Sequence, residues 1–265
     1  MIAQDTVVLW NRPEAPGYYR LGLACSFGFD SAKPGQFVMV RTGFQVDPLL
    51  RRPFSLLGLI HEQDRVTGIE ILFKVVGKGT DRLSRCKVGD RLSVIGPLGN
   101  AFLVPETCRR LILVAGGVGV PPIRFLAHRL LEQEGALSRC LVFVGGRSKD
   151  DLVCLTEFDL PGFLLDISTD DGSQGNPGVV TRSLEKALDA EPADLICACG
   201  PHGMLKAVAE IAIQRNIACQ VSIEAMMACG MGACLGCAVA VRDDDVCYRH
   251  VCMDGPVFDA HRLKW

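Results

Sequence analysis

Near the carboxyl end of the chain, Cys229, Cys234, Cys237 and Cys252 stand in the spacing C-x4-C-x2-C-x14-C. Nothing else in the sequence restricts the fold as strongly. Three thiolates have to converge from one short loop, and a fourth has to arrive from a distant strand or helix. The glycines at 230, 232 and 236 let backbone N–H groups approach the sulfurs. The first three positions carry the spacing of a plant-type [2Fe–2S] site. A four-cysteine zinc centre more often pairs two C-x2-C knuckles, so the pattern favours iron–sulfur over zinc. Cys247 is a spare thiol just upstream of Cys252; Cys252 is preferred as fourth ligand because it opens the turn-rich stretch Cys252-Met253-Asp254-Gly255-Pro256. The segment 219–265 is too short for a core of its own, and a metal is expected to supply its stability.

The remaining cysteines support this reading. There are 13, an odd number, and the opening MIAQDTVVLW has neither a basic n-region nor a small-residue cleavage site. Reduced thiols in a cytoplasmic chain are expected, rather than a disulfide framework. With 49% hydrophobic and 22% charged residues the chain can bury a sizeable core. The net charge of −2 (28 basic against 30 acidic residues) gives no bulk attraction to nucleic acid or anionic lipid. No run of 18 apolar residues marks a membrane span.

Upstream, the chain divides into two rhythms. Residues 1–103 hold short apolar runs broken by turn residues, among them Gly35–Val40, Ile69–Val76 and Arg91–Ile95. Runs of this kind predict an antiparallel barrel or sandwich. Over 104–218, strands (Leu111–Ala115, Leu141–Val144, Leu164–Ser168, Leu195–Ala198) alternate with helices (Ile123–Glu134, Ser183–Leu188, Met204–Arg215). That alternation predicts a parallel sheet of βαβ units. The expected fold is thus an α+β multidomain chain: a β-barrel, an α/β parallel-sheet domain, and a cysteine-rich segment at 219–265.

Each upstream zone carries loops suited to phosphate. Gly116-Gly117-Val118-Gly119-Val120-Pro121-Pro122 follows a strand and opens a helix, a geometry that holds a pyrophosphate. Pro122 replaces the usual third glycine and is tolerated in a first helical turn. In the barrel zone, Arg52, held by Pro53 in Arg51-Arg52-Pro53-Phe54-Ser55, suits a diphosphate, and Ser55 suits a ring nitrogen. A solvated arginine pair at a strand end is the plain alternative. The run Phe73-Lys74-Val75-Val76-Gly77-Lys78-Gly79-Thr80 carries a strand into a turn, with Thr80 opening a helix. Cys199-Gly200-Pro201 ends a strand, and at the carboxyl edge of a parallel sheet Cys199 is expected to face a ligand crevice. Val144–Ser148 ends a strand with no acid for a ribose 2′-hydroxyl, and Arg147 there suits a 2′-phosphate, so the choice between NAD and NADP is open.

Taken in order, the R-x-P-x-S, G-x-G-T, GGVGVPP and CGP motifs resemble those of the ferredoxin–NADP reductase superfamily. The segments Ile223–Cys237 and Tyr248–Phe258 closely resemble the electron-transfer subunits of class 1B dihydroorotate dehydrogenases, and the likeness covers essentially the whole chain. The resemblance implies an FAD-binding barrel, an NAD-binding domain and a [2Fe–2S] cluster. It implies FAD contacts from Arg52, Pro53, Phe54, Ser55, Phe73, Lys74, Val75, Gly79 and Thr80, and cluster ligation by Cys229, Cys234, Cys237 and Cys252. NAD is implied at Gly116, Gly117, Gly119, Cys199, Gly200 and Pro201. Phe54 stands where the family often has an aliphatic residue. The implied partner is a separate FMN-containing subunit that oxidises dihydroorotate for pyrimidine synthesis, in a heterotetramer of two of each. Flavin exchanges electrons singly or as hydride, so it belongs between cluster and nicotinamide; no side chain of this chain is then required as a catalytic acid or base. Apolar Met226, Met231, Leu235 and Val257 are expected to flank the ligands at the docking surface. Two alternatives stay open: a related FAD/[2Fe–2S] subunit of a hydrogenase, sulfide dehydrogenase or transhydrogenase, and a zinc-stabilised binding protein.

Overall fold

A computed structural model describes residues 1–25, 28–43, 47–132, 139–242 and 247–265. Six strands close a barrel in the order β1-β2-β5-β4-β3-β6: β1 (Ile2–Ala15), β2 (Tyr18–Leu23), β3 (Phe37–Arg41), β4 (Arg52–Glu62), β5 (Arg65–Lys74) and β6 (Arg91–Leu98). All pairings are antiparallel, and β1 meets β6 through Ile2↔Gly96 to Val7↔Arg91. Of the two architectures the short runs allow, the closed barrel is the one formed. Closure removes the exposed edges of an open sheet. Val8, Leu21, Val38, Leu56, Ile71 and Val94 fill the interior. The short helix α1 (Lys78–Ser84) follows β5.

The second unit is a seven-stranded sheet in the order β10-β9-β8-β7-β11-β12-β15. Its strands are β7 (Arg110–Gly116), β8 (Arg139–Gly146), β9 (Phe163–Thr169), β10 (Asn176–Pro177), β11 (Leu195–Cys199), β12 (Ala218–Ser222) and β15 (Val257–Asp259). Every pairing is parallel except β12–β15. β7 is buried along its whole length, as a central parallel strand covered on both faces must be. Helix α2 (Val120–Leu131) covers one face with its prolines in the first turn; the expected end at Glu134 lies outside the described residues. Helices α3 (Val180–Ala190) and α4 (His202–Gln214) cover the other. Their apolar stripes, Val180/Leu184/Leu188 and Leu205/Val208/Ala209/Ala212, sit against Ile112, Val114, Ile196 and Val221.

Barrel and sheet share a core: Tyr18, Leu57 and Leu72 of the barrel pack with Leu113, Val120 and Ile123. Charge pairs cross the same seam. Glu157, between β8 and β9, takes Arg20 of β2 and Arg124 of α2, and Asp151 takes the Tyr18 hydroxyl (2.8 Å) and the Lys74 ammonium (2.7 Å).

The carboxyl-terminal segment contributes β13 (Ala238–Ala240), β14 (Tyr248–His250) and the one-turn helix α5 (Val251–Asp254). It builds no core of its own, as its length predicts, and it packs on both upstream units. Cys237, Val251 and Cys252 pack with Phe37, Met39, Ile95 and Leu98 on the barrel wall, and β15 adds an antiparallel strand to the neighbouring sheet.

Candidate cofactor sites

The three glycine-loop cysteines and Cys252 of α5 meet against the barrel wall. They come in two pairs, Cys229 beside Cys234 and Cys237 beside Cys252, and Cys252 also lies near Cys229. Two pairs are what two irons, each taking two thiolates, require, so the donor set fits a [2Fe–2S] cluster. Backbone amides already point at the sulfurs: Met231 and Cys234 N–H donate to Cys229 Sγ (3.4 Å each), and Gly232 N–H donates to Cys252 Sγ (3.2 Å). Those amides pull the Cys229 thiol down to about 6, whereas burial and the neighbouring Cys237 push Cys252 up to about 12. Gly230 and Gly232 are left-handed (φ 72° and 83°), and a Cβ on either would strike Met39 or Met253. The spare thiol, Cys247, is exposed ahead of β14.

Between barrel and sheet lies a cavity of about 530 Å³. Arg52, Pro53, Phe54 and Ser55 from β4, Phe73 and Lys74 from β5, and Gly79 and Thr80 from α1 all line it. Val75 does not; it packs toward the barrel core, and its N–H donates to the Gly17 carbonyl. An apolar floor (Phe37, Leu72, Phe73) with Arg52 and Lys78 at the rim fits a flavin carrying a diphosphate. The two arginines separate here. Arg51 is spent on bracing the barrel, donating to the Ser93 carbonyl (2.6 Å) and hydroxyl (3.0 Å), whereas Arg52 faces the cavity with one nitrogen on the Leu50 carbonyl. Thr80 does not open α1. The helix begins at Lys78 with Gly77 as its cap, and Thr80 Oγ1 reaches back to accept Val76 N–H (2.9 Å) and Gly77 N–H (3.2 Å).

The glycine turn after β7 and the Cys199-Gly200-Pro201 turn after β11 pack face to face, where the strand order reverses. Gly119 leaves no room for a Cβ against the Cys199 carbonyl, nor Gly116 against Pro201 and Met204; these two glycines serve that close approach. Gly117 is left-handed (φ 50°) beneath the Tyr18 hydroxyl. Val118 and Pro121 of the same loop line the cavity. Cys199 corrects an expectation: its side chain is 1% exposed in the sheet core and absent from the cavity wall, and burial raises its thiol far above the usual range. The cavity is reached instead by Ser222 and Glu224, which follow β11 through β12. Glu224 is solvent-exposed where it borders the cavity, and its carboxylate has no hydrogen-bond partner among the described residues. Glu224 was missed in the sequence. Its signal was a lone acid ending the apolar run Val221-Ser222-Ile223 at the carboxyl edge of the sheet.

Around the cluster loop Met226, Leu235 and Met231 are exposed (93%, 58% and 38%), as is Met253 (60%). Val257 is not part of that surface; at 5% exposure it lies in the core beneath Gly35.

Among the described residues no helix is long and apolar enough to cross a membrane. The family model for the iron–sulfur cluster binding domain of dihydroorotate dehydrogenase B matches residues 224–264, and that for an oxidoreductase NAD-binding domain matches residues 113–210. A curated relative from Desulforamulus reducens, a dihydroorotate dehydrogenase B (NAD(+)) electron transfer subunit, is 39% identical over 88% of this chain and 87% of its own. Its namesake from Caldanaerobacter subterraneus subsp. tengcongensis is 38% identical over 97% and 96%. Among solved structures, an NADH-dependent reduced ferredoxin–NADP oxidoreductase studied for flavin-based electron bifurcation superposes with a TM-score of 0.85. It is 29% identical over 98% of this chain and 90% of that one. A Neisseria gonorrhoeae ferredoxin NADP+ reductase shares the fold at a TM-score of 0.63 and 16% identity, over 80% and 91% of the two chains.

Proposed function

The chain belongs to the family of electron transfer subunits of dihydroorotate dehydrogenase B, and from that premise we propose that it docks on a separate FMN-containing subunit and carries the electrons of dihydroorotate oxidation to NAD+. The observation that carries this reading is a shared wall. Phe37 lines the flavin cavity and also packs with Cys237 and Cys252; Met227 borders both as well. Phe37 and Met227 thus belong both to the packing around the cluster ligands and to the cavity wall.

In this reading Arg52 and Lys78 hold the diphosphate of FAD, and Phe73 and Pro53 hold its ring. Ser55 offers a hydroxyl with no partner among the described residues, suited to the ring edge. Cys229, Cys234, Cys237 and Cys252 hold the cluster. The turn at Gly116–Gly119, packed on Cys199–Pro201, presents the nicotinamide dinucleotide toward the cavity. Bound FAD supplies the exchange between single electrons and hydride. The functional division is 1–103 for FAD, 104–218 for NAD and 219–265 for the cluster. All 13 cysteines are unpaired, which accords with a cytoplasmic site of action.

The test is reconstitution. The isolated chain, loaded with FAD and cluster, is expected to pass electrons from NADH to an artificial acceptor and to leave dihydroorotate untouched. Adding the FMN subunit is expected to create NAD+-dependent dihydroorotate oxidation in a complex of two copies of each. A mixture that never couples the two would move the hydrogenase and transhydrogenase relatives to first place.

A further inference from the structure

The two cysteine pairs sit in unlike surroundings. Cys237 and Cys252 are each 3% exposed and pack against Phe37, Met39, Ile95 and Leu98 on the barrel wall. Phe37 carries that packing to the flavin cavity, which it also lines. Cys229 is only half-buried and Cys234 is exposed. Their loop neighbours Met231 and Leu235 are open to solvent as well, and Leu235 is held there in a left-handed conformation (φ 58°).

Backbone amides serve both pairs. Cys229 Sγ accepts the N–H groups of Met231 and Cys234 at 3.4 Å each. On the other side, Cys252 Sγ accepts the Gly232 N–H at 3.2 Å, and Cys237 Sγ accepts the Cys252 N–H at 3.5 Å. Hydrogen bonds to sulfur and access to solvent are the two levers that set where such a cluster holds charge. With amides on both sides, water is what separates the pairs. Reduction by one electron adds a negative charge to a centre that already carries four thiolates. That charge costs less beside solvent than against an apolar wall.

We infer that the two irons divide the work. The iron held by Cys229 and Cys234 is the one reduced, on the open side where a partner can reach it. The iron held by Cys237 and Cys252 stays ferric and forms the exit toward the flavin. The inference rests on the cluster reading above and adds the orientation of the ligand pairs in the electron path. One electron from the reduced flavin of the FMN subunit turns the ferric ion at Cys229 and Cys234 ferrous. It leaves for FAD past Cys237, Cys252 and Phe37, and the ion returns to ferric. No bond forms or breaks, and neither pair has to supply a proton. Two such passages match the two electrons of the hydride that NAD+ receives.

The test is proton NMR of the FAD- and cluster-loaded chain, reduced with dithionite and labelled at its cysteine β-carbons. Each ligand is assigned by labelling it together with the residue that follows it: Gly230, Leu235, Ala238 or Met253. In a coupled ferric–ferrous pair the larger ferric spin dominates. Protons on cysteines of the ferric iron therefore lose their downfield shift on warming, and those on cysteines of the ferrous iron gain it. The Cys229 and Cys234 signals are expected to move downfield on warming, and those of Cys237 and Cys252 to move back toward the ordinary range. The reverse assignment overturns the inference. So do four signals with one common temperature dependence, because the irons then share the electron. A chain whose visible spectrum shows no reducible cluster overturns the cluster reading itself, and that result is in hand before any NMR is run.

Discussion

Asn100 grips Val257 from both sides: its Nδ2 donates to the Val257 carbonyl at 2.8 Å while its Oδ1 accepts the Val257 N–H at 3.0 Å. The same Nδ2 reaches the Asp254 carbonyl at 2.9 Å, and the Asn100 N–H donates to the Gly255 carbonyl at 2.7 Å. One side chain at the end of the barrel thereby pins the turn that follows Cys252. Asn100→Ala leaves the buried Val257 N–H unpaired and is expected to cost about 1–3 kcal/mol. The readout is faster loss of cluster absorbance under a chelator. Asn100→Asp keeps the acceptor and loses the donors, so it is expected to fall between wild type and alanine. An alanine variant that holds its cluster as long as wild type would show that the metal, not Asn100, fixes this turn.

The two candidate fourth ligands are cleanly separated by position. Cys252 is 3% exposed beside Cys237, whereas Cys247 is exposed at the start of a strand pair. Anaerobically prepared protein is expected to hold about two irons and about two labile sulfides per chain. Cys252→Ser is expected to lose most of both, and Cys247→Ser to keep them. Iron and sulfide analysis with visible absorbance decides the matter; stoichiometric zinc without sulfide would remove the cluster altogether.

Arg51 and Arg52 are adjacent in the chain, but only Arg52 lines the flavin cavity. A charge-assisted contact to a diphosphate is worth about 1.5–3 kcal/mol, so Arg52→Ala is expected to weaken FAD retention by roughly ten- to a hundred-fold. Arg51→Ala breaks the brace to Ser93 and is expected to lower barrel stability with little change in FAD affinity. Equilibrium flavin binding and a denaturant titration on each variant distinguish the two effects.

The Asp151 carboxyl has a pH signature. Burial alone would raise it, but hydrogen bonds from Lys74 and Tyr18 outweigh burial and hold it down to about 2. A carboxyl that is more acidic in the folded chain than in the unfolded one stabilises the fold at every pH above its unfolded value. That stabilisation fades between about pH 4 and pH 2. Asp151→Asn is expected to cost about 1.5–3 kcal/mol at pH 7, where Lys74 loses its counter-charge. The gap to wild type is expected to stay level down to about pH 5 and to narrow below pH 4. A gap that persists undiminished at pH 3 would mean that the clamp does not depend on ionised Asp151.

How much of this was readable in advance depended on the range of the interaction. The cysteine spacing and the β7–α2–β8 alternation are local periodicities, and both carried through to the structure. Glycines 116 and 119 were recognised as a turn, but their tight packing on the Cys199 turn follows from β7 and β11 being neighbours in the sheet, some 80 residues apart in the chain. Burial of Cys199 is settled by that same packing. The Lys74–Asp151 pair spans 77 residues, and no sequence pattern announces it. Thr80 was displaced from the helix start for a local reason: a glycine at 77 takes the cap, and a hydroxyl three residues on can satisfy the same amides. Val257 looked like surface by its proximity to the ligands, but strand β15 carries it into the core.

The exposed methionines around the cluster lead to the last prediction. Met226 is 93% exposed, Met253 60% and Leu235 58%, all within three residues in the chain of the cluster cysteines through which, on the proposed route, electrons enter. A solvent-facing apolar group of this kind is typical of an interaction site, and methionine adapts its shape to a partner. A cover that keeps water from the cluster is the plain alternative, so the two roles need separate readouts. Met226→Glu, the most exposed position, is expected to leave iron content, flavin content and NADH oxidation by an artificial acceptor unchanged. Placing a charge in an apolar contact is expected to weaken association with the FMN subunit by about ten-fold or more, and dihydroorotate-to-NAD+ turnover with it at limiting subunit concentration. The loss should be recovered by raising the concentration of the partner. If Met226→Glu instead sheds iron while the subunits still associate normally, the patch is a cover for the cluster, and the docking face lies elsewhere.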